Sequence, residues 1–124
     1  MSKAYDFIKE CGVFYVITNN GEYPAARPFG IIMEDGDDLF IATHDGNQAH
    51  KQLRADGHIQ IVAKKDNSYD WVRVTGLAEE CTDVAMKQRL LDENPIAVGM
   101  YGSAESEHFL LFRVKAVDTE YKSA

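Results

Sequence analysis

The chain has 124 residues, 45% of them hydrophobic, which is enough for a single domain over residues 1–124 with one core. Its 13 basic and 20 acidic residues give a net charge of −7, which opposes binding to nucleic acid or to anionic membranes. No apolar stretch approaches the roughly 18 residues that span a bilayer, and the first residues have no signal-peptide core. These features predict a cytoplasmic protein.

The first part of the chain predicts one helix followed by an antiparallel hairpin. A helix is expected over residues 2–10, with Ser2 as its cap. A strand is expected over residues 13–18, because this stretch is rich in β-branched and aromatic residues. The sequence Asn-Asn-Gly at 19–21 favours a hairpin turn, and residues 23–34 are expected to form the return strand.

The rest of the chain predicts further strands with short helices between them. The expected elements are a turn at 35–38, a strand over 39–43, a helix over 47–55, strands over 59–63 and 69–79, a helix from Asp83 to Asn94-Pro95, and a last strand over 109–117. Six or so strands without βαβ alternation exclude a doubly wound sheet. They favour a closed or nearly closed antiparallel β-barrel with short helices at its ends and side.

Residues 26–53 contain the parts of a site for a phosphate group. Thr43 places a hydroxyl at the end of a predicted strand, and the Gly46-Asn47 break precedes a predicted helix whose first backbone N–H groups are free. Lys51 supplies an amine one turn inside that helix. A hydroxyl, free amides and a cation together can hold a phosphate monoester, so the pattern predicts a cofactor that ends in a phosphate.

In their order and spacing, these residues resemble the flavin mononucleotide (FMN)-binding split-barrel family. That family includes the pyridoxamine 5'-phosphate oxidases and the nitroimidazole-resistance-type proteins. The segments that carry the resemblance are Ala26-Arg27-Pro28, Asp35-Gly36, Leu39–Thr43, His50–Leu53 and Val72–Ala78. The resemblance implies a mainly β fold with short helices, an antiparallel six-stranded split β-barrel that binds FMN.

The resemblance also implies a homodimer. A barrel of this size fills its interior with side chains, so a flavin has to lie outside it. In the family, two symmetric flavin sites lie across the interface between two subunits. The aromatic face formed by Tyr69 and Trp71 would suit such an interface, since an apolar strand face left exposed on a monomer is an aggregation liability.

The residues that the resemblance places at the cofactor fall into three groups. Arg27 and the backbone after it would run beside the flavin ring, where a cation and amides favour the anionic reduced ring. Thr43 and Lys51 would hold the phosphate, and Trp71 and Arg73 would approach from the face that meets the partner. The candidate set is Arg27, Pro28, Phe29, Gly30, Ala42, Thr43, Asn47, His50, Lys51, Trp71 and Arg73.

Three of these residues have a purely structural alternative. Arg27 is compatible with a strand arginine paired with a carboxylate, and Lys51 with an ordinary surface lysine. Trp71 stands where the oxidases usually have a glutamine, and core packing explains it as well as stacking does, because an indole donates one hydrogen bond and accepts none. His50 stands where the oxidases commonly carry an arginine, so the phosphate clamp has a weaker, only fractional cation at neutral pH.

The predicted function is that of an FMN-dependent oxidoreductase that passes electrons from a small-molecule donor, such as a reduced nicotinamide, to a nitro compound, a quinone or oxygen. Pyridoxamine phosphate oxidation is not expected, because the tryptophan and arginine segment with which the oxidases end is not present before Ala124. A flavin-storing or redox-sensing dimeric barrel, a barrel that has lost its cofactor, and a haem or deazaflavin binder remain alternatives.

No catalytic side chain and no metal site are predicted. The sequence has no Ser-His-Asp, Cys-His or paired-carboxylate arrangement that spacing alone supports. Cys11 and Cys81 are far apart, and the four histidines show no HxH or HExxH pattern. The loop over residues 101–108 could supply substrate contacts, although a solvated turn is the preferred interpretation.

Overall fold

A computed structural model describes residues 3–123, so the predicted cap Ser2 lies outside the described residues. The described helices are α1 (Lys3–Cys11), α2 (Ala49–Asp56), α3 (Val84–Glu93) and α4 (Ile96–Tyr101). The described strands are β1 (Phe14–Asn20), β2 (Tyr23–Phe29), β3 (Ile32–Asp35), β4 (Asp38–His44), β5 (His58–Lys64), β6 (Trp71–Cys81) and β7 (Phe109–Lys122). None of the described helices is both long and apolar enough to cross a membrane.

The seven strands form one antiparallel sheet in the order β2-β1-β5-β6-β7-β4-β3. Its two edge strands, β2 and β3, are consecutive in the chain, and only Gly30 and Ile31 separate them. The sheet must therefore curl until its edges meet at this connection. No ladder between the described parts of β2 and β3 closes the sheet, so the architecture is a split barrel, as predicted.

The predicted return strand over residues 23–34 is wrong. Residues 23–29 pair with β1, whereas residues 32–35 pair with β4 at the opposite edge of the sheet. The chain crosses from one edge to the other at Gly30 and Ile31, which raises the strand count from the predicted six to seven. Because apolar residues continue on both sides of Gly30, the sequence pattern does not mark where the chain changes edge.

Helix α4 was not predicted either. Asn94-Pro95 marks the end of α3, as expected, but Pro95 also precedes the first residue of α4 with a φ of −56°. A proline has its φ already near the helical value, so it suits a helix start as well as a helix stop. The turns that follow, up to His108, agree with the preferred interpretation of that loop.

The core consists of two hydrophobic clusters on the two sides of the curled sheet. The first lies under α1 and includes Ile8, Phe14, Val16, Ile61, Val72 and Val74. The second lies under α3 and α4 and includes Met33, Phe40, Leu90, Ala97 and Phe109. Along β6, Val72 and Val74 point into the core, so Trp71 and Arg73 face outward, in agreement with the predicted alternation.

Candidate cofactor site

A cleft of ≈ 340 Å³ opens where the connection between β2 and β3 meets the end of β4. Six of the predicted residues line it, namely Pro28, Phe29, Gly30, Ala42, Thr43 and Asn47. The other lining residues are Ile31, Ile96, Met100 and Tyr101, three of which belong to the unpredicted helix α4. The curl of the sheet brings these segments together, because it places the end of β2 beside the end of β4.

The polar end of the cleft is built by hydrogen bonds between Thr43 and Asn47. Asn47 Nδ2 donates to Thr43 Oγ1 over 2.6 Å. Asn47 Oδ1 lies 2.9 Å from the same hydroxyl and accepts a hydrogen bond from the Ala49 backbone N–H over 3.1 Å. Asn47 thus joins the strand end to the first turn of α2, and one of the N–H groups expected to be free is already capped.

His50 and Lys51 are neighbours on α2 with opposite surroundings. His50 is only 5% exposed, and its Nδ1 has no hydrogen-bond partner among residues 3–123. Lys51 is exposed, and no described residue forms an ion pair or a hydrogen bond with its ammonium group. Successive helix positions point about 100° apart, which separates the two side chains. Lys51 therefore remains available to an anion, whereas His50 is packed into the protein.

Arg27 is half-buried and held by uncharged groups. Its guanidinium donates to Thr18 Oγ1 over 2.8 Å and to Gln52 Oε1 over 2.7 Å. It also donates to the backbone carbonyls of Val16 and Ala25, both over 3.3 Å. Burial lowers the pKa of this guanidinium from its usual value. Sequence reasoning missed Thr18 and Gln52, because they come from β1 and α2 and only the fold brings them to Arg27.

Arg27 differs from the other arginines because it has no described carboxylate as an ion-pair partner. Arg54, Arg73, Arg89 and Arg113 each form an ion pair with a carboxylate. Within the described part of the chain, no carboxylate lies within ion-pair distance of Arg27. The expected alternative, an arginine paired with an acid, is therefore not what the structure shows. Arg27 is a cation within β2 that does not line the cleft and that no described carboxylate neutralises.

Trp71 and Arg73 lie apart from the cleft. They line a shallow depression of ≈ 280 Å³ on the outer face of the sheet, together with Val62 and Lys64. The Arg73 guanidinium carbon is 5.4 Å from the centroid of the Trp71 ring, and Arg73 also forms an ion pair with Glu120. Trp71 is half-buried and faces outward, so the core-packing alternative does not describe it.

A curled antiparallel sheet with a cleft at its meeting edges defines a split-barrel protein. The family model described as Pyridoxamine 5'-phosphate oxidase matches residues 2–123. The chain therefore belongs to the pyridoxamine 5'-phosphate oxidase family, as the sequence resemblance indicated. The search of curated proteins finds no match to this sequence.

Solved structures of similar fold agree with this assignment. A NimC/NimA family protein from Clostridium acetobutylicum is 27% identical, with a TM-score of 0.84 over 98% of this chain and 90% of that chain. The General Stress Protein 26 from Bacillus anthracis is 14% identical, with a TM-score of 0.80 over 96% and 90% of the two chains. A FAD-binding protein from Mesorhizobium loti is 15% identical, with a TM-score of 0.72 over 100% and 96%.

Proposed function

We propose that this protein is an FMN-binding flavoprotein that transfers electrons from a reduced small-molecule donor to a small acceptor such as a nitro compound, a quinone or oxygen. The observation that carries the proposal is the cleft between the β2–β3 connection and the start of α2. This cleft combines an apolar wall with a polar end formed by Thr43 and Asn47. Lys51, which has no partner in the described chain, lies on α2, the helix that follows Asn47. A FAD-binding protein among the structures of similar fold supports a flavin as the ligand class.

The phosphate of FMN would bind at the polar end of the cleft. Thr43 supplies a hydroxyl that Asn47 already orients over 2.6 Å, and Lys51 supplies a charge that no carboxylate of residues 3–123 neutralises. Hydrogen bonds between charged groups are about twice as strong as neutral ones, so Lys51 would supply the larger part of the preference for a phosphate. His50 is buried and contributes less to the clamp than the usual arginine would.

The flavin ring would lie along the backbone of Pro28, Phe29 and Gly30. A Cβ atom built on Gly30 would have only the Gly12 carbonyl oxygen nearby, at 3.9 Å, so the backbone is open to close approach. On the other side, Ile96 and Met100 are 75% and 54% exposed and would be covered by a planar apolar ring. When bound, the flavin supplies the electron transfer, and the chain's own residues bind it and restrict its access to water.

The outer face of the sheet would be covered by a second copy of the chain. Tyr15, Val62 and Arg73 lie side by side on β1, β5 and β6, and Leu77 and Val117 add exposed apolar surface, Val117 at 69% exposure. Trp71 and Arg73 belong to this face rather than to the cleft. In a homodimer these two residues would complete the flavin site of the partner, which explains why one chain does not bring all predicted residues together.

A titration of cofactor-free protein with FMN, with riboflavin as the control ligand, tests the proposal. We expect saturation at one FMN per chain and a clear preference for FMN over riboflavin. No binding of FMN below about 100 μM, an affinity of roughly 5.5 kcal/mol, would refute the proposal. Oxidation of reduced nicotinamide by the FMN-loaded protein with a nitro compound or a quinone separates an oxidoreductase from a flavin-storing protein.

A further inference from the structure

Two histidines and one aspartate meet on the surface where β4 ends and β7 begins. His44 is the last residue of β4, and His108 immediately precedes β7, in which Phe109 pairs with His44. The two imidazole rings are stacked, with centroids 5.5 Å apart and planes inclined by 16°. Asp45 lies beside both rings, so that one potential ligand atom from each of the three residues falls within 4.8 Å of the others.

Both rings present the same nitrogen to the Asp45 carboxylate. His108 Nδ1 is 2.9 Å from Asp45 Oδ2 and 3.0 Å from Asp45 Oδ1. His44 Nδ1 is 3.4 Å from Asp45 Oδ1. The bonds of a tetrahedral zinc ion to nitrogen and oxygen are about 2.0–2.2 Å long, which places neighbouring ligand atoms roughly 3.3–3.6 Å apart. Small rotations of these exposed side chains would therefore suffice to surround an ion.

Two backbone N–H groups help to hold this arrangement. The Asp45 backbone N–H donates to the His108 carbonyl oxygen over 3.2 Å, which ties the β4 end to the β7 start. The Gly46 backbone N–H donates to His44 Nδ1 over 3.0 Å, so this nitrogen carries a lone pair rather than a proton. A Cβ atom on residue 46 would lie only 3.1 Å from His44 Nδ1, so a glycine at this position avoids a close contact with the His44 ring.

We propose that His44, Asp45 and His108 form a surface site for one divalent transition-metal ion, with zinc as its simplest probe. Two imidazoles and a carboxylate are ligands that zinc and neighbouring first-row ions accept. An incoming ion would take the His44 Nδ1 lone pair in place of the Gly46 N–H. Three protein ligands leave at least one coordination position open to water or to another small ligand.

The proposal departs from the expectation that the chain has no metal site. That expectation relied on histidine spacing along the sequence, whereas His108 and Asp45 are 63 positions apart. Antiparallel pairing of β4 with β7 is what brings them together. The metal site does not depend on flavin binding, so it can be tested independently of the proposed function.

The chain contains a matched pair that lacks the second imidazole. His58 Nδ1 is 3.6 Å from Asp56 Oδ2, and both residues are exposed, as in the proposed site. If a single surface histidine beside an aspartate were enough to bind zinc, this pair would bind it too. His58→Ala is therefore the control for His44→Ala and His108→Ala.

The test is a calorimetric titration of untagged protein with zinc chloride in a buffer without phosphate. We expect one zinc ion per chain, and binding weakened roughly 10–100-fold in His44→Ala, His108→Ala and Asp45→Asn, since even groups behind the ligands have effects of that size. His58→Ala should leave the zinc affinity unchanged. All four side chains are exposed, so unchanged thermal melting without metal will show that each variant folds.

Three results would overturn the proposal. The first is the absence of saturable zinc binding up to about 1 mM, a concentration at which only very weak complexes escape detection. The second is binding that His108→Ala leaves intact, because His108 is the ligand that the tertiary structure adds to the adjacent pair His44 and Asp45. Binding that only His58→Ala removes would place the zinc at the control pair and refute the site in the same way.

Discussion

The two regions that carry the predicted flavin residues differ in how completely one chain organises them. At the junction of β4 and α2, hydrogen bonds join Thr43, Asn47 and the first turn of the helix beside a defined cleft. On the outer face of β5 and β6, Trp71 and Arg73 border a shallow depression that is open to solvent. The proposed homodimer accounts for this difference, because one subunit would build the phosphate end of the proposed site and a second copy would supply the other wall.

The largest expected effect comes from placing a charge on the outer face. In Val62→Glu, both subunits would bring a carboxylate into the proposed apolar interface, where unpaired charges are costly. We expect the dimer affinity to fall by about 3 kcal/mol or more, over 100-fold, and FMN binding to weaken with it. Light scattering at micromolar concentration, with and without FMN, measures the amounts of monomer and dimer.

The control for this experiment is Val84→Glu, since Val84 is exposed on α3, away from the outer face of the sheet. It adds the same charge and should remain dimeric. A wild-type protein that is monomeric with FMN bound would contradict the proposal that the flavin site needs a second subunit, because a single chain would then provide the whole site.

The next effect concerns the phosphate end. Lys51→Ala should weaken FMN binding by about 1.5–3 kcal/mol through the loss of a charge-assisted hydrogen bond, and leave riboflavin binding nearly unchanged. Lys9→Ala removes another exposed lysine, from α1, and should change neither affinity. Equal losses for FMN and riboflavin in Lys51→Ala would show that Lys51 does not contact the phosphate.

The smallest effect is expected from Asn47→Ala. This substitution removes the acceptor for the Ala49 N–H and the donor to Thr43 Oγ1, so it should lower the free energy of unfolding by about 1 kcal/mol, as helix-cap losses do. Urea denaturation measures this change. FMN should reduce the difference in stability between the wild-type protein and Asn47→Ala, since FMN would bind the freed Thr43 hydroxyl and the freed Ala49 N–H group. A difference that FMN enlarges would assign Asn47 itself to the cofactor.

The candidate site shows where prediction from sequence stops. The strand end near Thr43, which the structure places at His44, and the helix after Asn47 were predictable, because they depend on residues within a few positions of one another. The partners of Arg27 were not, since Thr18 and Gln52 come from different elements. The apolar wall formed by α4 was not predicted, because a proline such as Pro95 suits the start of a helix as well as a helix stop.

Local sequence signals account for most of the elements of this protein, and their order indicated its family. The turn at Gly21 and the end of α2 at Gly57 require positive φ values, 65° and 73°, which glycine adopts without steric cost, and the Asp83 side chain accepts the Ala85 N–H at the start of α3. By contrast, the edge that residues 32–35 join and the position of His108 beside His44 are set by the tertiary fold. These features depend on pairing between distant segments, and an alternating apolar pattern fits either edge of a curled sheet equally well.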